Sequence, residues 1–142
     1  MKVLVTGAGG QLGRALVARA PNGVEVFAAG SAECDIADRE AVLALVTRER
    51  PDLILNAAAY TAVDQAESDA ERAKAVNATG TANLVAAAET VGARVAHVST
   101  DFVFDGSASV AYAPDASTAP LGVYGATKLA GEGYLRETDL CV

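Results

Sequence analysis

No run of this sequence is apolar for the roughly twenty consecutive residues that a membrane-spanning helix needs, so a membrane is not an expected partner. Cysteine occurs only as Cys34 and Cys141, far apart and with no Cys-x-x-Cys pair or neighbouring histidine. That spacing offers neither a zinc site nor a redox motif, and both residues read as small hydrophobes in a reducing, cytoplasmic setting. The chain opens on a strand-like run rather than a basic segment and apolar leader, which points to the same compartment. Positive charge is scarce: 11 Lys and Arg stand against 18 Asp and Glu, a net charge of −7, with no basic cluster. Such a surface repels a phosphodiester backbone, and nucleic acid is excluded as an expected partner. Histidine occurs once, His97, in a buried-looking strand, where a satisfied core residue is the expected role and a ligand or base is not. No metal site is expected.

What remains is aliphatic. Hydrophobic residues make up 51% of the chain and aromatic residues only 5%, which suits a sheet of Val, Leu and Ile under Ala-rich helices and argues against disorder. A length of 142 residues fits one core, hence one domain over residues 1–142. The pattern predicts a strand at Lys2 to Thr6, then a glycine turn and a helix from Gln11 to Ala20 that Pro21 stops. A second strand follows at Val24 to Ala29, then a helix capped by Asp38 and running to Arg50 before Pro51. Leu53 to Asn56 is a third strand. Ser68 and Glu71 form a capping box that opens one long helix ending near Gly92. Arg94 to Ser99 is a fourth strand, the stretch to about Leu121 is loop, Val123 to Glu137 is a helix, and Leu140 to Val142 begins a fifth strand.

Strands alternating with long helices call for a doubly wound α/β fold, a parallel sheet with right-handed crossovers and helices on both faces. Ligands then sit beyond the carboxyl ends of the strands, so the loops after the first, third and fourth strands should line one crevice. Thr6-Gly7-Ala8-Gly9-Gly10-Gln11-Leu12-Gly13 occupies the first of these loops. Gly7 permits the turn, Gly10 lets backbone approach a pyrophosphate, Gly13 lets helix pack on strand, and amides at the helix start attract the anion. The expectation is a Rossmann-type domain holding a nicotinamide dinucleotide. The second strand ends in Ala28, Ala29, Gly30 and Ser31, without a carboxylate placed for a ribose 2′-hydroxyl. Those small residues and Arg14 leave room for a 2′-phosphate, which favours NADPH and keeps NADH open; Glu33 could reach the ribose or be a solvated loop charge.

Tyr124 and Lys128 stand four apart on a predicted helix and share a face. A phenol is a poor acid at neutral pH, and an adjacent ammonium makes it better by favouring the phenolate. Thr100, at the end of the fourth strand, can hydrogen-bond a carbonyl. Glycine loop, strand-end hydroxyl and Tyr/Lys helix follow one another as carbonyl reduction at a nicotinamide requires.

With these segments the chain resembles the extended short-chain dehydrogenase/reductases, and within them the dTDP-4-dehydrorhamnose reductase family. The resemblance runs over the whole chain. It is carried by the glycine loop, by Asn56-Ala57-Ala58-Ala59-Tyr60-Thr61-Ala62-Val63-Asp64 with Ala66-Glu67, by Ser99-Thr100-Asp101 with Val103-Phe104, by Pro120-Leu121 with Val123-Tyr124-Gly125, and by Lys128-Leu129-Ala130-Gly131-Glu132. It implies that Thr100 polarises a sugar carbonyl, Tyr124 protonates it, Lys128 holds the nicotinamide ribose, and Asp101 helps arrange the site. For the cofactor it implies Gly7, Gly10, Gln11, Leu12 and Gly13, then Asp35 and Ile36, then Ala57, Ala58 and Ala59, with Tyr124 and Lys128. The substrate implied is a dTDP-sugar. Phe102 stands where the family commonly has Tyr, and Gly122 where it commonly has Asn.

The family continues for about as many residues again, with a small second domain that grips the nucleotide-sugar, so the chain is expected to be the cofactor-binding half of such an enzyme. Its unfinished sheet is expected to expose an edge and invite a homo-oligomer. Two other readings stay open: an epimerase or dehydratase of the same superfamily, and a dinucleotide-binding module without turnover. Asp64, Glu67, Asp69 and Glu71 are expected to oppose a helix dipole rather than bind metal. Asn77 is either an active-site support acting through water, as the superfamily has on this helix, or a solvent-facing residue.

Overall fold

The computed structural model describes residues 1–136. The predicted end of the last helix at Glu137, the fifth strand at Leu140 to Val142 and Cys141 lie outside them. Four parallel strands, β1 (Lys2–Thr6), β2 (Glu25–Ala29), β3 (Leu53–Asn56) and β4 (Arg94–His97), form one sheet in the order β2-β1-β3-β4. The order reverses between β1 and β3, which opens a crevice beyond their carboxyl ends. The helices are α1 (Gln11–Ala18), α2 (Arg39–Glu49), α3 (Val63–Ala66), α4 (Ala70–Lys74), α5 (Gly80–Val91) and α6 (Val123–Arg136). A π-helical stretch at Ala75–Thr79 joins α4 to α5, and a 3₁₀ turn at Asp101–Val103 follows β4.

Alternation along the strands decides which helix covers which face. Leu4, Ile54 and Val95, all fully buried, point to the side packed by Val42, Leu45 and Val46 of α2 and by Leu84, Ala87 and Ala88 of α5. Val3, Val5, Leu53 and Leu55 point the other way, toward Leu12, Ala15 and Leu16 of α1, where an apolar groove of about 350 Å³ remains. Among the described residues no helix is long and apolar enough to cross a membrane.

Local signals ended several elements where expected. Asp38 caps α2 by accepting from the amides of Glu40 and Ala41 at 3.0 and 3.1 Å, and Gly92 ends α5 in the left-handed region. α1 stops at Ala18 and β4 at His97, each two residues short of the expectation.

The larger correction concerns the one long helix expected from the Ser68 and Glu71 capping box to near Gly92: it is found as α4, the π-helical stretch and α5, and the loop expected before it holds the short α3. Ser68 Oγ instead donates to the Gln65 carbonyl at 3.1 Å, and Asp69, which precedes α4, makes no side-chain cap. The Asp69 carboxylate is engaged by the Tyr60 hydroxyl at 3.1 Å. Glu67 does not serve its own helix either: it accepts from the Val123 amide at 2.8 Å and so caps α6, across 56 residues of chain. Gly122 makes that cap fit, because a Cβ there would lie 2.7 Å from the Glu67 carboxylate.

Candidate active site

The glycine loop is shaped by steric necessity. Gly7 has φ +67°, and a Cβ on it would come within 2.5 Å of the Ala58 amide nitrogen. A Cβ on Gly13 would sit 2.2 Å from the Gly7 carbonyl oxygen, so only glycine lets α1 start this close to the β1 turn. Gly9 faces open space, with nothing within 4 Å of such a Cβ. The loop therefore presents bare backbone to the crevice at the amino end of α1, the arrangement that suits an anion.

The crevice consists of two cavities of about 470 and 610 Å³ that share Gly10, Ala57, Ala58 and Ala59. Gly7, Ser31, Asp35, Ile36 and Arg72 line the first of them, and Gln11, Leu12, Ser99, Tyr124 and Lys128 line the second. Small side chains on the shared wall leave room for an extended ligand to pass from one cavity to the other. Gly13 lies buried beneath the loop, where it sets the shape without lining either cavity.

At the first cavity the cation differs from the one expected. Arg14 donates to the Gly9 carbonyl at 2.7 Å, whereas Arg72 projects from α4 and pairs with Asp35 at 2.8 Å. Arg72 and the Ala37 amide hold the Asp35 carboxyl below its usual pKa. The exposed Glu33 carboxylate accepts from the Gly30 amide at 2.9 Å. Sequence reasoning missed Arg72 because nothing local distinguishes it from the other charges of its helix.

In the second cavity Tyr124 and Lys128 stand together, as their spacing predicted. The Tyr124 ring packs edge-on against Phe102, with centroids 5.6 Å apart and planes at 76°. Lys128 is 2% exposed and its Nζ donates to the Val98 carbonyl at 2.5 Å. Burial pushes its pKa down to about 8 against the opposing pull of Glu132. Thr100 and Asp101 line neither cavity. The Thr100 hydroxyl accepts from the Phe102 amide at 3.2 Å and starts the 3₁₀ turn, while Asp101 lines a separate pocket with Phe104 and Leu121. Ser99 lines the second cavity instead, its hydroxyl donating to Glu132.

Asn77 is 1% exposed, which overturns the solvent-facing reading. Its Oδ1 accepts from the Tyr60 amide at 2.8 Å, and its Nδ2 donates to the Tyr60 carbonyl at 3.2 Å and to Thr127 Oγ1 at 3.1 Å. The side chain thus ties the loop after β3 to the helix that carries Tyr124 and Lys128. It does so from the π-helical stretch, a distortion often found where a helix serves a site.

His97 is part-buried and satisfied at both ring nitrogens, as expected, and its partners are specific. Its Nδ1 meets Asn56 Nδ2 at 2.9 Å and its Nε2 meets Lys128 Nζ at 3.0 Å. Burial, with Lys128 beside it, pushes its pKa down to about 4. The unfolded chain, with an ordinary histidine near 6.5, therefore binds more protons between those two values. Stability is expected to fall as pH drops from about 6.5 toward 4, a slope that denaturant titrations across this range should show and that a His97→Asn variant should lack.

A family model described as the RmlD substrate binding domain matches residues 1–141. The dTDP-4-dehydrorhamnose reductase of Mycolicibacterium smegmatis is 46% identical over 133 residues, covering 92% of this chain and 40% of that protein. That of Escherichia coli K12 is 47% identical over 141 residues, covering 96% and 47%. Among solved structures, a dTDP-4-dehydrorhamnose reductase from Bacillus anthracis in complex with NADP is similar, with a TM-score of 0.95 and 37% identity, covering 99% of this chain and 51% of that one. A dTDP-4-dehydrorhamnose reductase from Clostridium acetobutylicum gives a TM-score of 0.96 at 38% identity. The chain spans less than half the length of the curated relatives it matches.

Proposed function

The chain belongs to the RmlD substrate binding domain family, and from that we propose that it is the cofactor-binding and catalytic half of an NADPH-dependent dTDP-4-dehydrorhamnose reductase. The observation that carries the proposal is the crevice, which begins at Gly7, Gly9 and Gly10 and ends at Tyr124 and Lys128. The residues fit a dinucleotide: the bare Gly7 to Gly10 backbone suits a pyrophosphate, Ile36 and the Ala57 to Ala59 wall suit its apolar flanks, and Arg72 with Ser31 suits a 2′-phosphate. Gln11 and Leu12 continue the wall toward the second cavity.

When bound, NADPH supplies the hydride. Tyr124 would give its hydroxyl proton to the carbonyl oxygen of dTDP-4-dehydro-L-rhamnose as that oxygen gains charge, yielding dTDP-L-rhamnose. A protonated Lys128 would favour the phenolate left on Tyr124 and hold the nicotinamide ribose. Thr100 would polarise the carbonyl through its hydroxyl, and Asp101, which receives that hydroxyl at 3.4 Å, would help arrange the site. A cytoplasmic setting and a homo-oligomer belong to the same proposal. The buried Cys34 thiol is compatible with the first, and the groove beside α1 offers apolar surface for the second.

Calorimetric titration is expected to show saturable NADPH binding by the chain, and binding weaker at least several-fold after Gly10→Val, which puts a branched side chain at the wall shared by both cavities. Undiminished affinity in that variant would remove the loop from the cofactor site. Adding dTDP-4-dehydro-L-rhamnose is expected to bleach the reduced-nicotinamide absorbance. Binding without bleaching would favour the module without turnover.

A further inference from the structure

Asn56 and His97 stand directly behind Lys128, and their hydrogen bonds fix where the protons lie. Asn56 is 1% exposed and its amide cannot be turned freely. Its Oδ1 accepts from the Ala58 backbone amide at 3.1 Å, an obligate donor, and from the Thr6 hydroxyl at 2.8 Å. Its Nδ2 must then be the atom that faces His97 Nδ1, at 2.9 Å, and it can only donate. A neutral imidazole that accepts at Nδ1 carries its proton on Nε2. That proton points at Lys128 Nζ, 3.0 Å away. An ammonium has only donors, so an Nε2–H can face Nζ favourably only if the lysine is an amine with a free lone pair.

We propose that Asn56 and His97 form a proton-ordered chain that holds Lys128 as a neutral amine in this arrangement, making His97 a positioning residue that sets the charge on the lysine beside Tyr124. The proposal rests on the reading of Tyr124 and Lys128 as the reacting pair only for its consequence. An ammonium is what favours the Tyr124 phenolate, so whatever governs the charge on Lys128 also governs how readily Tyr124 gives up its proton. Protonating Lys128 sets two donors against each other and must either open its contact with His97 or move the imidazole proton to Nδ1, at the expense of the bond from Asn56.

The surroundings of the amine agree. The Nζ also donates to the Val98 carbonyl, a bond a neutral amine can make while its lone pair faces His97. The titratable groups facing it are His97 from β4, Tyr124 in the same cavity, and Glu132 one turn further along α6. Glu132 and the Val98 carbonyl favour the charged form, and Glu132 also receives the Ser99 hydroxyl. Burial lowers the proton affinity of Lys128 and of His97 alike, so neither readily takes a second charge beside the other.

His97 is the one histidine of the sequence, so a chain labelled with ¹⁵N-histidine gives a single pair of ring signals, read without cofactor or turnover. At pH 10 the expected spectrum has Nδ1 unprotonated and Nε2 protonated. As pH falls, both nitrogens are expected to shift together with a midpoint near 8, as Lys128 takes its proton, and to reach the imidazolium only toward pH 4. Lys128→Met should abolish the upper step. Asn56→Asp should reverse the tautomer, since a carboxylate accepts from Nδ1–H as well as from Ala58 and Thr6, and should raise the upper midpoint by about one pH unit or more. A proton on Nδ1 at pH 10, or an upper step that Lys128→Met leaves in place, overturns the proposal. The wild type and Lys128→Met decide the matter even if Asn56→Asp fails to fold. Failure of the chain to bind NADPH would refute the reductase reading and leave these spectra unchanged.

Discussion

Tyr124→Phe is expected to cut turnover by about 10² to 10⁴-fold, the usual worth of a positioned proton donor, while NADPH affinity changes little. The substitution isolates the hydroxyl. Phe102 meets the edge of the Tyr124 ring at 5.6 Å between centroids, a contact that phenylalanine keeps, so packing around α6 is preserved. The loss should appear in kcat and kcat/KM together, because the hydroxyl acts on charge that develops only as the carbonyl is reduced. Parallel measurement of NADPH affinity separates a chemical defect from a binding defect. A variant that turns over at the parental rate would remove Tyr124 from the mechanism.

The second large effect concerns the fold. Gly13→Ala places a methyl 2.2 Å from the Gly7 carbonyl oxygen and 2.7 Å from the Ala8 Cα. Both neighbours are backbone, so no rotamer change relieves the clash, and α1 must part from the β1 turn. Overpacking of this kind costs about 1–3 kcal/mol and sometimes more, which for a domain of this size lowers Tm by several degrees per kcal/mol. Gly9→Ala is the control, since its methyl meets nothing within 4 Å and should leave Tm near the parental value. Thermal melts of the two variants test whether the loop is shaped by contact with α1; equal melting points would show that it is not.

The two pairs of residues expected at the crevice are placed by different physical constraints. Tyr124 and Lys128 lie one helical turn apart, and any helix of that sequence puts them on one face. Thr100 and Asp101 lie in a loop, where backbone direction depends on what the loop rests against. The Thr100 hydroxyl accepts from the amide of Phe102 and donates to Asp101, and Ser99 lines the second cavity. The cation of the first cavity followed the same rule. Arg14 is close to the glycine loop in sequence yet bonds the loop's own Gly9 carbonyl, while Arg72 arrives from α4 to pair with Asp35, 37 residues away.

By itself the sequence determined what short-range sterics and periodicity control. β1 and β3 keep the bounds their patterning predicts, Asp38 starts a helix and Gly92 ends one, and three glycines shape the turn between β1 and α1. Each depends on a residue and its immediate neighbours. Folding alone decided that Glu67 caps α6, that Asn77 bridges Tyr60 and Thr127, that residues 63–91 break into separate helices around a π-helical stretch, and that His97 stands between Asn56 and Lys128. Those partners are 17 to 56 residues apart. A buried polar group takes whichever donor or acceptor packing brings within reach, and no local pattern records which one that is.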